Sequence, residues 1–164
     1  MSEERSVLFE PPGIEWRPVS PNLGMARHVV LALVVGLPAV VLTAAATFVG
    51  GWVWVAAAVF GLGAIWGAFV VHRQVRAMGY AERKDDLLVR RGVLFRSLVV
   101  VPYGRMQFVD VQSGPLARSF GIARVQLHTA SPGTDASIPG LPPAEAERLR
   151  DRLAALGEAR LAGL

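Results

Sequence analysis

Between Val29 and Val71 the chain carries no Asp, Glu, Lys or Arg, an uncharged run of 43 residues. No other feature restricts the fold as strongly, because a bilayer can cover such a run and a small soluble domain cannot. The run is too long for one span of about 20 residues and suits two, with a break at Gly50-Gly51 where helix propensity drops. The pattern predicts one helix from Ala26 to Phe48 and a second from Trp52 to Val75, joined by a tight turn. Pro38 lies inside the first helix and predicts a kink, which membrane helices tolerate when neighbours satisfy the freed carbonyl. Arg27, Arg73, Arg76, Arg83 and Lys84 flank the outer ends while the turn is uncharged, so the positive-inside rule predicts both termini in the cytoplasm. Trp52 and Trp54 then mark the far interface. Ala44-Ala45-Ala46 looks like a signal-peptide cleavage site, but the apolar stretch exceeds a signal h-region and a second one follows at once.

Outside the run the chain is different in kind. Residues 72–164 carry 14 basic and 9 acidic side chains, so the excess positive charge follows the spans. Cysteine is absent, which excludes disulfides, thiol catalysis and cysteine-type zinc sites. Residues 1–25, with Pro11, Pro12, Pro18 and Pro21, show no helical or strand period and read as an irregular tail. Two readings stand for its Trp16 and Val19: a disordered tail, or a segment along the membrane surface where an indole suits the headgroup level. Within the second span Gly63 and Gly67 form a GxxxG pattern, a helix-packing face that also suits self-association.

From Met78 onward short β-prone runs alternate with turn residues: Tyr80 to Lys84, Leu87 to Arg91, Arg96 to Val101, Met106 to Gln112, Ala123 to Ala130 and Ala136 to Pro139. Asp85-Asp86 and Gly92 to Phe95 read as hairpin turns. One helix follows, opened by Pro142-Pro143, with Ala146, Leu149, Leu153 and Leu156 at helical spacing and Gly157 as its stop. The expected core is Leu88, Val99, Phe108, Val125, Leu127, Leu149 and Leu153. The expected organisation is a tail (1–25), a two-helix transmembrane hairpin (26–76), a small α+β domain (77–158) and a short tail (159–164).

Little in the sequence carries chemistry. His28, His72 and His128 lack HxxxH or HExxH spacing, so no metal is inferred. Ser97, Ser113, Ser119, Ser131 and Ser137 lack a GxSxG context, although His128 and Ser131 are near in sequence. No phosphate-binding glycine loop occurs, and neither a cofactor nor a small-molecule substrate is inferred. Arg83, Lys84, Arg90, Arg91 and Arg96 lie along the first three strands; they suit an anionic membrane surface, or else solvated strand edges and topology markers. Nucleic acid is disfavoured, since stacking aromatics are lacking and Glu82, Asp85 and Asp86 interrupt the cations.

The stretch from Tyr80 to Leu156 resembles the bacterial pleckstrin-homology-like domain of the YdbS type. The resemblance rests on Val101-Pro102, Arg105, Gln107, Val109, Val111, Gly114-Pro115-Leu116, Arg118 and Gly121, then Val125 and Thr129-Ala130, with a hairpin and a short Trp16-containing tail ahead of them. It implies a strongly bent antiparallel sheet closed by the C-terminal helix, in a bacterial inner-membrane protein of more than one pass, and supplies no catalytic activity. Arg105, Gln107 and Arg118 form a candidate motif surface, while Gly114, Pro115 and Gly121 read first as turn chemistry. The expected function is a non-enzymatic, membrane-anchored module that presents a cytoplasmic protein- or lipid-binding surface as an accessory subunit. Its expected partners are the bilayer and a protein or a second copy of the chain. The alternative is a subunit of a transport or export complex acting mainly through its hairpin.

Overall fold

The computed structural model describes residues 14–130 and 135–161, grouped into two compact units: residues 24–73, and residues up to 23 together with 74 onward. Ser131 and the prolines at 11 and 12 lie outside the described residues.

The first unit is the helical hairpin. One continuous helix runs Asn22–Val49 and a second Val53–Arg76. At about 1.5 Å per residue both exceed the roughly 30 Å of a hydrocarbon core. The first divides into α1 (Asn22–Leu31), a π-helical turn (Ala32–Gly36) and α2 (Leu37–Val49); the second is α3 (Val53–Arg76). The π turn is the local answer to Pro38. A proline ring crowds the carbonyl four residues back and brings no N–H, so the preceding turn widens and Leu37 N–H reaches the Ala32 carbonyl, five residues back. Phe48, Trp52, Ile65 and Trp66 are exposed, a surface that suits lipid. Gly50 and Gly51 both take positive φ at the turn, where a side chain would be strained.

The second unit is the α+β domain. Its first sheet has the order β1-β2-β3-β4: β1 (Arg17–Pro18), β2 (Gly79–Glu82), β3 (Asp86–Arg91) and β4 (Ser97–Pro102), all antiparallel. A 3₁₀ turn at Tyr103–Arg105 breaks the meander. The second sheet, β5-β6-β7, is built from Met106–Gln112, Ala123–Thr129 and Ala136–Leu141, with α4 (Pro115–Ser119) between β5 and β6. The C-terminal helix α5 spans Pro143–Leu161. Ala146, Leu149 and Leu153 on α5 are fully buried, together with Leu87, Val101, Val125 and Leu127 from both sheets and Tyr103 from the 3₁₀ turn between them. Each large apolar side chain so buried is worth about 1.5–3 kcal/mol.

Several expectations change in detail. Arg17 and Pro18, within the segment read as irregular, pair with Tyr80 and Gly79 and add an edge strand. The same segment is tied down by Ser20 N–H to the Gly140 carbonyl (2.8 Å) and Asn22 Nδ2 to the Phe120 carbonyl (3.0 Å). Gly140 takes φ +75° and has no room for a Cβ beside Leu23, so the entry to α1 seats on bare backbone. Gly157 does not stop α5, which runs on to Leu161. It is buried against the 3₁₀ turn, where a Cβ would make an ordinary contact of 3.7 Å with the Tyr103 carbonyl. The six expected strands divide between two sheets. Of the expected core, Val99 is only half-buried and Phe108 is exposed on the outer face of β5, where it stacks on His128. α4 was unforeseen; Gly114 before it has an ordinary extended φ, and only Gly121 after it needs the left-handed region.

Candidate functional site

A buried ionic clamp joins β1, β2 and α5. Glu82 on β2 is 8% exposed and accepts from Arg148 Nη2 at 2.6 Å, with Arg152 Nε at 3.0 Å and Arg17 Nη1 at 3.5 Å. Glu145, in the first turn of α5, accepts from Arg148 Nε and Nη2, both at 2.8 Å, from Arg17 at 3.2 Å and from the Tyr80 hydroxyl at 2.5 Å. The hydrogen bonds from Arg148 and Tyr80 hold the Glu145 carboxyl down at about 2 against the cost of burial. Burial, then the bond to Glu145, pushes the Tyr80 hydroxyl up to about 12, and burial does the same for Tyr103, whose hydroxyl donates to the Arg83 carbonyl. Arg148 is raised by its bonds to Glu145 and Glu82. Glu145, Tyr80 and Arg148 are thus held in their ordinary charge states, which fits a structural clamp rather than proton transfer.

The structure separates the five cations of the first strands. Arg83 and Lys84 stand at the β2–β3 turn, where Arg83 Nε pairs with Asp86 at 3.2 Å and Asp85 pairs with Arg160. Arg90 lies over the Trp16 ring at 4.6 Å. Trp16 therefore packs on the domain, which does not fit a disordered tail. Arg91 and Arg96 are exposed at the opposite end of β3, five residues or about 17 Å from the acidic turn. Between them the chain turns through Gly92, Val93, Leu94 and Phe95. Gly92 takes φ +94°, and a Cβ there would fall 1.9 Å from the Phe95 carbonyl oxygen, so the turn closes backbone on backbone. Leu94 and Phe95 project from it 87% and 86% exposed. Sequence reading counted these two as turn residues; the missed signal is two large apolar side chains in a hairpin turn flanked by arginines.

The motif residues do not converge. Arg105 and Gln107 lie at the start of β5 beside a bulge, with the Arg105 carbonyl accepting Ala130 N–H. Arg118 sits on α4 beyond the other end of β5, and its Nε donates to the Ser113 carbonyl at 3.1 Å. Between these ends Phe108 and His128 stack at 4.2 Å, and His128 Nδ1 is 3.5 Å from Asp135. In the hairpin, Gly63 and Gly67 face Val35 and Leu31 of the same chain; a Cβ on Gly67 would meet Leu31 at 2.8 Å. The two ring nitrogens of His28 lie 2.6 Å from the Gly24 carbonyl and 3.3 Å from the Ala68 carbonyl, bridging the two helices.

Two antiparallel sheets closed by a C-terminal helix, after a long-helix hairpin, is a specific arrangement. The family model described as Bacterial PH domain matches residues 26–157, covering both units. The chain belongs to the bacterial PH domain family. The transmembrane protein YdbS of Bacillus subtilis is 34% identical over 100 residues, 60% of this chain and 62% of that protein. The chain thus matches about three-fifths of the length of that curated relative. No solved structure matches the chain significantly. The expected PH-like fold is therefore the family's, and the chain is a membrane-associated PH-like protein.

Proposed function

We propose that this protein is a non-enzymatic accessory module of the bacterial inner membrane, crossing it twice and holding its PH-like domain on the cytoplasmic side, where a cationic end engages anionic lipid. The observation that carries the reading is the pairing of β1 with β2. Arg17 and Pro18 precede the first long helix, Tyr80 and Gly79 follow the second, and each pair sits in one register. Residues joined in one ladder lie in one compartment, which supports an even number of crossings between them. The arginines at the outer helix ends support the cytoplasm as that compartment. Gly79 is also the register partner of Arg90, so only Ala77 and Met78 separate the end of α3 from the sheet that carries Arg91 and Arg96. Each such cation near an acidic leaflet contributes about 1 kcal/mol.

The test uses the full chain in nanodiscs. Because the protein has no cysteine, Ser97→Cys, the register partner of Arg91, takes a single donor dye against a headgroup acceptor. Transfer is expected to be higher with acidic lipid than with neutral lipid. It is expected to fall between roughly 0.1 M and 1 M salt as the screening length shrinks from about 10 to about 3 Å. Transfer indifferent to both would refute lipid engagement. A protein partner docked on the outer face of the second sheet is a second reading, favoured by Phe108, which is 57% exposed and stacked on His128.

A further inference from the structure

The geometry points to the β3–β4 hairpin tip as a membrane wedge: Leu94 and Phe95 insert into the acyl region of an anionic leaflet while Arg91 and Arg96 hold headgroup phosphates on either side. The inference rests on the reading above, that this end of the domain lies at acidic lipid, and adds how it is held.

Three features of the tip select this occupant. The first is the order of residues, cation, glycine turn, two large apolar side chains, cation, which places apolar and charged groups at successive depths of one projection. A leaflet presents the same layers in reverse, phosphates outside hydrocarbon, and an amphipathic element that matches both binds by both terms. The second is charge. From Leu87 to Val109 there is no Asp or Glu, so the hairpin brings no negative charge of its own to a phosphate, whereas the other end of β3 carries Asp85 and Asp86. The third is rigidity. Gly92 closes on the Phe95 carbonyl, and Arg91 and Ser97 pair across the base, so Leu94 and Phe95 are presented by a fixed backbone. An exposed pair of this size is unusual on a small domain, where single apolar side chains are scattered among polar ones. Arg90 is left out of the headgroup set because its guanidinium already lies on Trp16.

The test again uses the full chain and its lack of native thiols. Leu94→Cys, with Phe95 retained, carries an environment-sensitive dye in nanodiscs of acidic lipid, and Lys84→Cys, at the far end of β3, carries the same dye as control. The Leu94 label is expected to shift to the blue, to be quenched by lipids brominated on the acyl chain and to be shielded from aqueous iodide, with the Lys84 label showing the reverse. Phe95→Ser is expected to bring bromine quenching at position 94 down to the control level while the salt-dependent transfer from Ser97 persists. Quenching of the Leu94 label by iodide while that transfer remains would overturn the wedge and leave lipid engagement standing; loss of the transfer as well would overturn both. A label shielded from iodide yet untouched by bromine would mean that protein covers the tip, and would also overturn the wedge. Gly92→Ala supplies a second check. Its Cβ forces the turn open, so bromine quenching of the Leu94→Cys label is expected to drop with Phe95 unaltered.

Discussion

Replacing Glu145 with Gln removes one charge from the clamp while keeping its shape, and the cost can be worked from the structure. The carboxyl falls from an ordinary 4.5 to about 2 on folding, a difference whose ceiling is about 3 kcal/mol at 1.36 kcal/mol per unit. Glu145 is 27% exposed, and solvent screening discounts that ceiling to about 1.5–2 kcal/mol. The folded-state value is depressed, so the contribution is complete above the unfolded value and is lost as pH falls from about 4.5 toward about 2. In a domain of this size the discounted loss corresponds to a lowering of the melting temperature by about 6–15 °C. Melting of the wild-type chain and of Glu145→Gln in detergent, followed by circular dichroism across pH 7 to about 2.5, should show a gap that is full near neutrality and closes in acid. A gap of constant size across that range would refute the account, since it would then arise from shape or from lost hydrogen bonds rather than from the charge held by Arg148, Tyr80 and Arg17.

Leu153→Asp is expected to unfold the domain or to lower its stability by several kcal/mol, because the side chain is fully buried and a carboxylate there has no partner; an unchanged melting temperature would show that α5 does not close the sheets. Gly67→Leu should splay the hairpin, since even a Cβ meets Leu31 at 2.8 Å; cysteines placed at positions 35 and 63, where a Cβ on Gly63 is 3.9 Å from Val35, should cross-link less in a Gly67→Leu chain than in the parent, and unchanged cross-linking would refute the clash. Alkaline phosphatase fused after Leu164 should be silent and a fusion at Gly51 active; the opposite pattern would invert the topology.

The helical hairpin and most strands were legible because their signals are local. An uncharged run has a length, and Val125 and Leu127 alternate with Arg124, Gln126 and His128 on a strand that the structure buries on one side. The misreadings share a cause: each concerned which distant element a residue meets. Gly157 reads as a helix stop until it is known to be buried beside the 3₁₀ turn at Tyr103. Phe108 reads as core by its type, and only the bulge between Met106 and Phe108 turns it outward onto His128. The clamp was invisible for the same reason, since Glu82 and Glu145 are 63 positions apart and nothing local says that the first turn of α5 crosses β2. Leu94 and Phe95 were in plain view, but a hairpin turn was sufficient to account for their position.

The edge strand β1 has a consequence for how the protein is made. The domain is discontinuous in sequence: residues 17–23 leave the ribosome first, and their partners Gly79, Tyr80, Phe120 and Gly140 follow only after both long helices have been synthesised. Until then the early segment has no ladder to join and must wait at the membrane surface. Under the proposed topology, one helix failing to enter the membrane would leave β1 stranded from β2 with a bare sheet edge exposed. Under that topology the completed sheet would report on the hairpin, since β1 and β2 can meet only when both outer ends of the two long helices lie on one side.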